Sequence, residues 1–180
     1  MIQGNEVLIT IFRILHIVSG VIWVGSGFVL SLYINPALKM SGVDTSKFMR
    51  TLYTKTGYMM LLPIVSILTT VTGFVLYGIL SNGFSHVGYM RGTIVLTIGV
   101  IFGLLAFGHS LGALGAQSRK YSNLVKAAGD NPTSEQQDAL SKIEASLMKN
   151  GRISMWISFV ALVLMASARY IDPLVTQMRG

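Results

Sequence analysis

The 180-residue chain contains no cysteine, which excludes a disulfide framework, a thiolate metal site and thiol chemistry. Acidic side chains are nearly as scarce. There are seven, against fourteen Lys and Arg, and they fall in termini and loops. That distribution argues against a carboxylate-lined proton channel. Paired carboxylates, Walker loops, HExxH and nucleophile elbows are all missing, so the usual acid–base, phosphoryl-transfer and acyl-transfer enzymes find no footing. Charged residues are only 12% of a chain that is 52% hydrophobic, too apolar a balance for a soluble globule of this length.

What the sequence does have is four long apolar runs, at about residues 7–34, 59–80, 92–116 and 153–168. Each approaches or exceeds the roughly 20 residues that a helix needs to cross a hydrocarbon core. None alternates with period two, which removes the closed-strand alternative. The reading is an all-α, integral membrane four-helix bundle forming a single domain over residues 1–180. The first run is longer than a signal-peptide core and no small-residue cleavage pattern follows it, so it reads as a retained helix.

Pro36, after Asn35, is expected to end the first helix, and Pro63 to kink the second. Residues 81–88 have the composition of an exposed turn, and a helical turn is expected around Lys47–Tyr53. The chain should leave the bilayer after Ser118 and break at Gly129-Asp130-Asn131-Pro132. Ser134 and Gln137 form a capping-box pattern that starts a short amphipathic cytoplasmic helix with Leu140, Ile143 and Leu147 on one face.

The net charge of +7 is distributed as membrane topology rather than as a nucleic-acid surface. Lys39, Lys47, Arg50 and Lys55 lie between the first two runs. Arg119, Lys120, Lys126, Lys142, Lys149 and Arg152 lie between the last two, while the short middle loop holds Arg91 alone. Cytoplasmic loops collect Lys and Arg, so both long loops are expected inside and both termini outside, with the bilayer and its anionic headgroups as partners.

An ionisable group inside a bilayer is costly enough to mark function, and the spans contain Arg13, His16 and His109. Arg13, His16, Gly20, Trp23 and Gly27 recur at three- and four-residue spacing and share one helix stripe, expected to face away from lipid. A neutral imidazole with glycine one turn below suits a haem, with Arg13 pairing a propionate. The same spacing also fits side chains that only hydrogen-bond neighbouring helices. His109 has such an alternative in Ser158 or Thr72.

Gly99/Gly103 and Gly108/Gly112 open a groove on the third helix, for a packed helix or a flat ligand. Counted at about 1.5 Å per residue, His16 and His109 fall at different depths. They therefore imply two centres or separate partners. His86 is in reach of the shallower position, and Met59, Met60 and Met155 of the deeper one. The ten methionines are scattered, without the tight clustering of a copper path.

The run Leu15-His16-Ile17-Val18-Ser19-Gly20-Val21-Ile22-Trp23-Val24-Gly25, with Thr72-Gly73, His109 and Arg152 further on, resembles two kinds of small bacterial and archaeal membrane protein. These are the CopD-like copper-resistance membrane domain and the HemJ-type protoporphyrinogen oxidases. The resemblance implies a prokaryotic plasma membrane and haem b held by His16 and His109, with oxidation of protoporphyrinogen, or else copper uptake.

Stripe and resemblance together lead to the expectation of haem b serving electron transfer or haem-linked oxidation, with quinol as a donor. His16 and His109 are the metal ligands, and Arg13, Gly20, Trp23, Gly99 and Gly103 the further cofactor contacts. Copper transport is one alternative. An accessory subunit of a larger respiratory or oxidase complex, in a homo- or hetero-oligomer, is another.

Overall fold

Apolar side chains with few breakers favour helix wherever the backbone must satisfy its own hydrogen bonds, and the described chain is helical almost throughout. The computed structural model describes residues 2–43, 45–81, 83–84, 93–129 and 131–177. Its helices are α1 (Ile2–Val29), α2 (Asn35–Ser41), α3 (Thr45–Lys55), α4 (Tyr58–Leu80), α5 (Thr93–His109), α6 (Gly115–Ala128) and α7 (Ser134–Gln177). Wide π turns, Leu30–Ile34 and Ser110–Leu114, join α1 to α2 and α5 to α6 without a break. Four of the resulting rods are long and apolar enough to cross a membrane: Glu6–Ser41, Tyr58–Leu80, Ile94–Ala128 and Ser134–Ala168.

Several boundaries differ from expectation. The first helix does not stop at Asn35-Pro36. Pro36 sits in the first turn of α2, where its missing N–H costs little, and the preceding π turn takes up the mismatch with the carbonyls behind it. The third rod continues as helix past Ser118 to Ala128 and ends at the expected break, at Gly129, whose φ of 59° only glycine adopts easily. The turn expected at Lys47–Tyr53 is the whole of α3, anchored by Met49 at 0% exposure.

The short amphipathic helix expected from Ser134 is not a separate element. It is the first third of α7, which continues through Asn150-Gly151 into the fourth span. Gly151 costs a helix about 1 kcal/mol relative to alanine. That is too little to break a rod gripped on both sides, by Leu140 and Leu147 in a buried cluster with Tyr121, Val125 and Ala128 below it, and by buried Ser154 and Met155 above. Helix α4 likewise runs through Pro63. Arg91 and most of the 81–88 turn, including His86, lie outside the described residues.

The rods associate as two pairs: α1 packs chiefly on α4, and α5 chiefly on α7. Within the first pair the Thr69 hydroxyl donates to Ser19 Oγ (2.8 Å). Within the second, Gly99 of α5 is buried against Met165 and Leu164 of α7. Direct contact between the pairs is sparser, with Tyr77 OH and Thr97 Oγ1 meeting at 2.7 Å between α4 and α5, and Gly27 against Met155 between α1 and α7.

Outward surfaces are almost wholly apolar, as at Ile17 (59% exposed) and Val21 (62% exposed). In water such a belt would be a very large sticky patch, whereas in hydrocarbon it costs nothing. At the end carrying the basic loops, α3, α6 and the start of α7 form a small core of their own. There Glu144, 4% exposed, accepts hydrogen bonds from Tyr121 OH (2.8 Å) and Ser46 Oγ (2.7 Å).

Candidate functional site

Because the two helix pairs touch only in places, space remains between them. A cavity of about 490 Å³ lies there, lined from α1 by His16, Gly20 and Trp23, from α4 by Thr69 and Gly73, and from α5 and α7 by Gly103 and Met165. Its wall is overwhelmingly apolar. Its size falls in the range of about 300–1,000 Å³ usual for small-molecule sites.

His16 is the one basic side chain on that wall among the described residues. Its Nδ1 donates to the backbone carbonyl of Thr69 at 2.8 Å, across the α1–α4 contact. That bond fixes the tautomer and leaves Nε2 as the free lone pair, the usual preparation of an imidazole for a metal. Nε2 has no hydrogen-bond partner among the described residues and is not sealed from the surface. The ring lies close against Gly73, where a built Cβ would come to 2.5 Å from Cε1 and 2.8 Å from Nδ1. Glycine at position 73 is therefore what lets the imidazole sit where it does.

The remaining expected residues divide. Gly20, Trp23 and Gly103 join His16 on the cavity wall. Trp23 also stacks edge-on against Phe107 at 6.5 Å between ring centres, linking the two pairs at the floor. Gly99 does not reach the cavity. A Cβ there would meet Met165 Cγ at 2.9 Å and the Met165 backbone nitrogen at 3.2 Å, so its role is helix packing. Gly108 and Gly112 face open space. Arg13, one turn above His16, is exposed and lies outside the lining.

The structure does not bring the two histidines together. His109 lines neither this cavity nor the one below it, and its Nδ1 is buried with no partner among the described residues. Ser158 and Thr72, its expected partners, turn their hydroxyls to Ser154 O and Leu68 O instead. His109 adjoins Ser110, which meets Ser154 at 2.7 Å, beside the level where Gly27 touches Met155. His16 lies about three turns above Gly27 on α1, roughly 16 Å at 1.5 Å per residue. Among the described residues no three His, Cys, Asp or Glu side chains converge as a metal site.

A second cavity of about 500 Å³ lies nearer the basic end and shares Trp23, Val24 and Ser158 with the first. It was not expected from sequence. Its polar members, among them Asn35, Tyr58 and a set of serines, are spread over four helices and both π turns, and the sequence marks Asn35 only as a helix end next to Pro36 and Ser158 only as a partner for His109.

Glu144 was missed too, although it falls four residues after Leu140 and three before Leu147 and so shares their inward face. The acidic group beside it leaves its mark on Tyr53: burial chiefly, then the neighbouring Tyr58 and Glu144, push that phenol well above its ordinary range. No family model matches the chain, and no curated protein or solved structure matches it either.

Proposed function

We propose that the chain is a multi-pass protein of a prokaryotic plasma membrane that binds haem b between its two helix pairs and serves electron transfer or haem-linked oxidation. The observation that carries this reading is His16. It is an imidazole whose Nδ1 is held by a backbone carbonyl and whose Nε2 is left free beside an apolar cavity of about 490 Å³.

The donor set fits the group. A macrocycle needs an imidazole nitrogen, flat apolar walls and small residues where its edge approaches a helix, and His16, Trp23, Gly20 and Gly103 supply them. Arg13 supplies the cation for a propionate. An exposed arginine on a membrane helix is stable only where it reaches headgroups or a carboxylate, and Arg13 lies toward the start of the first rod, one turn beyond His16. When bound, the haem would supply reversible one-electron chemistry at iron. The chain's own part is to orient the imidazole through Thr69, keep water out with the apolar wall, and hold the ring against Gly73. His109, at another depth and outside this cavity, does not reach the same iron.

A reduced-minus-oxidised optical spectrum of the detergent-purified protein tests the reading. A b-type α-band that disappears in His16→Ala and persists in His109→Ala is the expected result. A flat spectrum in the unmodified protein would end the haem reading. Copper in metal analysis would then favour transport, and neither metal would favour an accessory subunit of a larger complex.

A further inference from the structure

We propose that the second cavity, at the basic end, is a binding site for the head of a quinone or quinol taken from the bilayer. Both π turns of the described chain open onto it: Leu30 and Ser31 belong to the first, and Ser110, Leu111 and Leu114 to the second. Such turns are rare and gather at functional sites, because the widened ring of backbone re-aims the side chains around it.

Asn35, which follows the first π turn directly, is 5% exposed and lines the cavity, yet its Oδ1 accepts no hydrogen bond from any described residue. Buried amide oxygens are nearly always satisfied, so one left over on a cavity wall points to a ligand.

The other polar groups narrow the chemistry. The side-chain hydroxyls of Ser31, Ser122 and Tyr58 line the cavity and have no hydrogen bond to any described residue. Among the described residues Arg119, exposed, is the one charged side chain in the lining, and no carboxylate faces the space. The ligand is therefore not a cation, and it carries acceptors for several neutral donors. It must also offer a donor to Asn35 Oδ1.

A quinol meets both demands, since its hydroxyl donates to Asn35 Oδ1 while its oxygens accept from the serine and tyrosine hydroxyls, and the quinone carbonyl left on oxidation can accept from the amide Nδ2 instead. A phospholipid phosphate would bring only acceptors to Asn35, with a single cation to balance it. The apolar remainder of the wall, including Trp23, suits the ring and the start of its tail. The site does not depend on His16, although Trp23 places it directly across from the His16 cavity.

Trp23 also provides the test. The chain has two tryptophans, so Trp156→Phe leaves Trp23 as the only one, and a short-tailed benzoquinone titrated into the full-length detergent-purified protein would quench it on binding. The expected result is saturable quenching, weakened about tenfold or more by Asn35→Leu and by Tyr58→Phe and unchanged by His16→Ala.

Quenching that stays linear with equal slope in every variant, or saturates identically in Asn35→Leu and Tyr58→Phe, would overturn the proposal. So would relief of quenching by phosphatidylglycerol alone, which would make this a lipid site. Tyr58→Phe removes one oxygen and decides the matter if Asn35→Leu fails to fold. Because the readout needs no haem, a missing α-band and a missing quinone site are distinguishable failures.

Discussion

His16 owes its position to a residue with no side chain. At Gly73 an added methyl group would stand 2.5 Å from the imidazole Cε1, and the obstacle is a planar ring rather than the yielding tip of a flexible chain. Gly73→Ala should therefore rotate the imidazole off the Thr69 carbonyl while leaving the helices intact. We expect haem retention to fall about tenfold or more, comparable to His16→Ala, at unchanged far-ultraviolet circular dichroism. Full retention in Gly73→Ala would show that the ring orientation is unimportant.

A second residue-scale expectation concerns Tyr53. Its pKa is raised in the folded protein, so it holds its proton there while the unfolded chain releases it near the ordinary value of about 10. The stability it contributes is present in full below about pH 10 and is lost as the pH climbs further. Thermal melts between neutral pH and strongly alkaline pH should show that decline. Tyr53→Phe should make it shallower, and an unchanged slope in that variant would refute the assignment.

At the scale of elements, the glycines of the third rod look alike in sequence and act differently. Gly99 lies in the α5–α7 contact, where a Cβ would strike Met165 and Leu164, while Gly108 and Gly112 face open space. Overpacking a close contact costs about 1–3 kcal/mol or more. Gly99→Leu should accordingly lower the melting temperature by several degrees, whereas Gly108→Leu should leave it nearly unchanged. The reverse order would mean that the Gly108/Gly112 face is covered by a partner chain and that the α5–α7 contact is slack. The same scale explains α7. Its basic-end third is amphipathic and residues 153–168 are apolar, and one rod serves both because a lone glycine weakens a helix without ending it.

For the whole molecule, the arrangement of two tight pairs with few contacts between them leaves room for a ligand in the centre of the bundle. It also sets α1 antiparallel to α7, so that the start of α1 and the end of α7 lie at the end opposite α3 and the start of α7. With the basic end inside, single cysteines introduced into this cysteine-free chain at Thr51 and at Ser134, both exposed, should react with a membrane-impermeant maleimide only after the membrane is opened. Labelling of intact cells would invert the topology.

Sequence alone determined the helical class, the four long apolar rods, the basic loops at one end and the three polar residues set in apolar surroundings. These are properties of composition and local periodicity, which the backbone's need to satisfy its own hydrogen bonds converts directly into helix. It also singled out His16, Gly20 and Trp23, because one stripe of a helix is visible in spacing, and Gly103 through its four-residue pairing with Gly99.

Tertiary structure alone decided which faces meet. The Thr69 carbonyl that orients His16, the Gly73 backbone beneath its ring, the separation of His16 from His109, the absence of Arg13 from the cavity wall and the buried Glu144 all depend on contacts between segments distant in sequence. The continuity of α2 and α7 through Pro36 and Gly151 was decided there as well. In each case a local breaker of modest strength was outweighed, by a π turn at one and by packing on either side at the other.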